Sequence, residues 1–122
     1  RRHTRSLCDW SSDVCSSDLR FNGGLSLAAN LIGKPGKMDV AGHMVQDLWD
    51  AGRASEIHDY CRGDVLDTYF VFLRSRVLVG DLDIKKEHTL IEEARAWIEA
   101  KAQKHPGLGR YLSAWGDWKS PW

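Results

Sequence analysis

The 122-residue chain has no apolar run near the ~18 residues that a membrane-spanning helix needs, and its opening RRHTRSL leads into Cys, Asp and Ser instead of an apolar signal core. A cytoplasmic protein is expected. Neither sign of charge is in excess: 17 Lys+Arg balance 17 Asp+Glu. No whole-molecule field therefore advertises a polyanionic partner, although a local site could hold a strand through metal and a few side chains. The three cysteines, Cys8, Cys15 and Cys61, are odd in number and include no C-x-x-C pair. That argues against the disulfide framework of a small secreted domain and against a zinc site, and free thiols are expected. His3, His43, His58, His88 and His105 show no metal-ligand spacing. The segment Gly33-Lys34-Pro35-Gly36-Lys37 has two lysines but not the G-x-x-x-x-G-K-[ST] order of a phosphate-binding loop, so it reads as a turn.

What is present is ordinary for one globular domain: 43% apolar and 28% charged residues. A chain of this size can bury about two-thirds of its unfolded surface. Residues 1–19 stand apart, with five Ser, three Asp and no apolar period. Within them, CDWSSDVCSSDL is similar to the translated read-through of a short-read sequencing adapter. We expect 1–19 to be a non-native or disordered tail, and 20–122 to be the C-terminal part of a domain that continues upstream.

From residue 25 onward the pattern is helical. Leu25, Leu27, Ala28 and Leu31 recur at helix spacing before Gly33 and Pro35-Gly36. Asp39 can cap a helix reaching about Ala51, with Val40, Met44, Val45 and Leu48 on one side. A long helix is predicted from Ser55, as N-cap, to about Val79, and an amphipathic one over 86–104 with Leu90, Ile91, Ala94, Trp97 and Ile98 inward. His105-Pro106-Gly107 should end it, and a short helix should follow from Leu108 to about Trp115. Trp115, Trp118 and Trp122 lie within the last eight residues, where they could staple the terminus onto a core or stack on nucleobases.

The long helix carries the one residue that packing does not explain. At 100° per residue, Ile57, Cys61, Val65, Thr68, Val71 and Phe72 gather on one side and Leu66, Phe70, Leu73 and Val77 on the other, which predicts a helix buried on two sides. Asp64 falls within the first apolar face, where an ionised carboxylate needs a hydrogen bond, a cation or a metal. Tyr60 lies one turn earlier on the same side. Spacing alone leaves two readings: a site, or a buried Asp satisfied by a backbone N–H or an Arg, with Tyr60 as core.

The run Lys34-Pro35-Gly36-Lys37-Met38-Asp39, followed by Tyr60-Cys61-Arg62-Gly63-Asp64-Val65-Leu66-Asp67-Thr68-Tyr69, resembles the predicted 3'-5' exonucleases related to the proofreading domain of family B DNA polymerases. The second run fits the Y-C-x-x-D-V-x-x-T-Y signature of the third exonuclease motif of the tyrosine (DEDDy) subclass at each fixed position. The resemblance implies an α/β, RNase H-like exonuclease fold, of which this chain is the mostly helical C-terminal part. It implies that Asp64 is a ligand of one of two Mg²⁺ or Mn²⁺ ions, that Tyr60 orients water or the scissile phosphate, and that the substrate is a single-stranded DNA end, with RNA as the alternative.

Departures from the family pattern carry equal weight. Neither D-x-E, the first motif, nor the second motif's Asn followed by Phe-Asp occurs in the sequence. One carboxylate cannot hold two hard ions at useful affinity. We therefore expect the chain to be inactive alone and its long helix to expose the face meant for a sheet. The rival expectation is a non-catalytic helical binding module that presents Trp115, Trp118 and Trp122 to a partner.

Overall fold

The computed structural model describes residues 23–38 and 40–116. They form five helices and one 3-10 turn: α1 (Gly24–Leu31), the turn Gly42–Met44, α2 (Val45–Asp50), α3 (Ala54–Leu78), α4 (Ile84–Ala102) and α5 (Pro106–Ser113). No strand occurs among the described residues, so of the expected α/β fold they supply helices and no sheet. None of their helices is long and apolar enough to cross a membrane. Cys8, Cys15, His3, Asp39, Trp118 and Trp122 lie outside the described residues.

Helix ends depart from the sequence reading for identifiable local reasons. Ser55 does not cap α3. The helix starts two residues earlier, with Arg53 at the N-cap and its guanidinium on Glu56 at 2.6 and 2.8 Å, which holds the anion in the first turn. Asp83 is a cap and not a linker: its carboxylate accepts from the Lys85 N–H at 3.0 Å and starts α4 two residues before position 86. Pro106 opens α5 instead of closing α4, because a proline in the first turn loses no hydrogen bond that the helix would have made. The helix expected after Asp39 is reduced to the 3-10 turn and α2.

Helix α3 packs against α1, α2, α4 and α5. Phe70 and Leu73 meet Ile98 of α4 and Leu108 and Tyr111 of α5, with Leu66, Leu90, Ile91 and Trp115 around them. The opposite face is open: Val65 is 67% and Phe72 54% exposed. The expectation of burial on two sides is therefore corrected, since periodicity finds apolar faces but not what covers them. Trp97, placed inward by its spacing, is also exposed, whereas Ile98 is fully buried.

Charged groups enter this core only in partnership. Arg74 of α3 meets Glu87 of α4 at 2.8 Å with both side chains buried. Lys34 is buried with its ammonium 4.2 Å from the Trp115 ring centre and 5.0 Å from that of Phe70. Trp115 also meets Phe70 edge-on at 4.9 Å, and the next residue's Gly116 N–H reaches the Gly33 carbonyl at 3.1 Å. The loop after α1 is thus fastened to both the core and the end of the described chain.

Candidate functional site

Tyr60 and Asp64 occupy successive turns of α3 and are both half-buried. Interaction with the Asp64 carboxylate raises the Tyr60 phenol above its usual range. Thr68 donates its hydroxyl to the Asp64 carbonyl at 2.7 Å, a local bond that leaves the carboxylate to the outside. The two side chains line a cleft of about 430 Å³ between the loop carrying Gly36, Lys37 and Met38, the first half of α3, and the start of α5. Arg53, Glu56, Asp59 and Arg110 complete its polar lining, and Met38, Val40, Leu108 and Tyr111 its apolar lining.

Most of the charge in this cleft is already matched. Glu56 is held by Arg53. Asp59 bridges Arg62 at 2.9 Å and Arg110 at 3.2 Å, tying α3 to α5. That bridge depends on Gly107, because a Cβ there would lie 2.2 Å from the Asp59 carboxyl carbon. Asp64 makes no ion pair among the described residues.

The deeply buried carboxylate of α3 is Asp67, not Asp64. Asp67 is 1% exposed, and its Oδ1 accepts from the Tyr111 hydroxyl at 2.7 Å. Burial raises its pKa, opposed by the bonds from Tyr111 and the Gly36 N–H. The same burial and the Asp67 bond push the Tyr111 phenol far up. Sequence reasoning passed over this pair, although Asp67, Phe70 and Arg74 at i, i+3 and i+7 trace the buried stripe. Lys34 was passed over too, and burial holds its ammonium down at about 8. No local spacing announces a lysine that folds back under two rings.

No group of three or more His, Cys, Asp or Glu able to hold a metal ion exists among the described residues. Asp64 fits as one oxygen ligand of a hard divalent cation, since it faces the cleft without an opposing cation. Glu56 and Asp59 are committed to arginines. Cys61 is an exposed free thiol, and Trp115 of the expected tryptophan surface packs on Phe70 and Tyr111.

Tyr60 and Asp64 thus lie one helical turn apart on a cleft of mixed polar and apolar lining. Residues 1–115 match the family of predicted 3'-5' exonucleases related to the exonuclease domain of PolB, and the chain belongs to that family. The matched span includes residues 1–19, which their composition sets apart. No curated protein and no solved structure matches the chain.

Proposed function

We propose that the chain contributes the tyrosine and one metal-binding carboxylate to a metal-dependent 3'-5' exonuclease that hydrolyses single-stranded DNA ends, with RNA as the alternative, to nucleoside monophosphates. The observation that carries this reading is the placement of Tyr60 and Asp64, one helical turn apart, on a cleft in which Asp64 has no cation partner among the described residues. Asp64 would hold a Mg²⁺ or Mn²⁺ ion. Bound in pairs, such ions supply an activated water and stabilise the leaving oxygen.

Tyr60 acts as a donor and not as a base. The nearby Asp64 carboxylate raises the phenol, so the O–H stays protonated through the neutral range and can donate a hydrogen bond to water or phosphate without taking a proton. One carboxylate is short of the roughly six oxygen ligands a hard ion takes. The chain alone should therefore turn over no substrate, and the remaining ligands are those of the D-x-E and Asn…Phe-Asp motifs, which its sequence does not contain.

The test is Mn²⁺-dependent digestion of a 3'-labelled single strand by the chain joined to a segment carrying those two motifs, beside Asp64→Ala and Tyr60→Phe. Stepwise shortening should vanish with Asp64→Ala and slow roughly 10- to 100-fold with Tyr60→Phe. Shortening that is indifferent to Asp64 would contradict the proposal.

A further inference from the structure

We propose that Lys37 is the phosphate-binding residue of this cleft, its ammonium taking a non-bridging oxygen of the strand's backbone. The proposal rests on the exonuclease reading and adds the group that recognises the substrate's charge.

Three cations line the cleft, and two have carboxylate partners: Arg53 meets both oxygens of Glu56, and Arg110 shares Asp59 with Arg62. Lys37 is exposed and forms no ion pair among the described residues. Among the described lining residues, Asp64 is then a carboxylate with no cation partner and Lys37 a cation with no carboxylate partner. That is the complement of a metal ion and the phosphate it acts on.

The loop that presents Lys37 is held at several points. The Lys37 N–H donates to the Ser26 hydroxyl at 3.0 Å. Gly36 sits at φ +68°, and a Cβ there would approach Ser26 O, Ser26 Oγ and Asn30 Oδ1 to 2.9 Å, so only glycine lets the loop lie this close to α1. Lys34 is seated between Phe70 and Trp115. An anchored backbone removes part of the ordering cost that a free surface lysine incurs when it grips a ligand. A flexible stem ending in a point charge suits a phosphate oxygen more than a base edge, so recognition should be indifferent to sequence. In a chain with 17 charges of each sign, such a contact has to be local.

The experiment is binding of a fluorescein-labelled oligothymidylate to the full chain, followed by anisotropy over a range of salt, for wild type, Lys37→Gln, Lys37→Arg and Lys104→Gln. Lys104 is an exposed lysine outside the cleft lining. Lys37→Gln should weaken binding about tenfold and reduce the slope of log K against log salt by about 0.7. Lys37→Arg should restore both, and Lys104→Gln should leave both unchanged. Binding equal in Lys37→Gln and wild type would overturn the role of Lys37 while leaving the exonuclease reading intact. Equal losses in Lys37→Gln and Lys104→Gln would overturn it as diffuse electrostatics, and no binding by wild type would overturn the phosphate site while leaving the exonuclease reading to its own test.

Discussion

Helix α3 holds two carboxylates three residues apart, each with a tyrosine for neighbour, in opposite surroundings. Asp67 is sealed against Tyr111 of α5 and the Gly36 N–H, and this joins three segments of the fold. Asp64 lies beside Tyr60 of its own helix and opens on a cleft. The first pair is turned inward as structure and the second lines an open cleft. The difference teaches that the chemistry of a Tyr–Asp pair does not assign its role; what surrounds it does.

Breaking the buried pair should have the largest effect on stability. Asp67→Ala orphans the Tyr111 hydroxyl and the Gly36 N–H and should cost about 2–4 kcal/mol in urea unfolding. Tyr111→Phe should cost about 1–3 kcal/mol. Its deficit should narrow above the usual tyrosine value of 10.0: the raised phenol keeps its proton in the folded state while the unfolded chain ionises, so wild type loses stability as pH rises through that region. By contrast, Asp64→Ala and Tyr60→Phe should change stability by no more than about 0.5 kcal/mol. A cost above about 2 kcal/mol for either would erase the distinction between the pairs.

Smaller changes sharpen it. Gly107→Ala drives a Cβ onto Asp59 and should cost about 1–3 kcal/mol, with loss of the Arg110 bridge, measurable as a lower unfolding midpoint. Lys34 titrates near 8 in the fold against 10.5 when free. Between those values the unfolded chain binds more protons, so stability should rise with pH across that window, by up to about 3 kcal/mol relative to Lys34→Met. A flat difference between the two proteins would show that Lys34 stays charged.

Much of this was legible before the structure. The existence of each long helix followed from apolar spacing, and the resemblance at positions 60–69 picked out Tyr60 and Asp64, which the structure brings together in one cleft. The physical reason first attached to Asp64 fails, however. It was singled out as a carboxylate buried among Val65, Phe72 and their neighbours, and that face is open. Two apolar stripes on one helix look alike in sequence, and only the partners α4 and α5 decide which is covered. Lys34, Asp67 and the Arg74–Glu87 pair were illegible for a related reason: each is made tolerable by a residue far along the chain, and no local pattern encodes that partner.

The central claim is that Asp64, and not Asp67, is the carboxylate held ready for a metal ion, and paramagnetic broadening of amide signals by Mn²⁺ tests it most directly. Titrated into the full chain, Mn²⁺ should broaden the amides of Tyr60, Gly63, Asp64 and Lys37 first, and Asp64→Ala should abolish that pattern. Broadening that centres elsewhere, or that survives Asp64→Ala, would contradict the account.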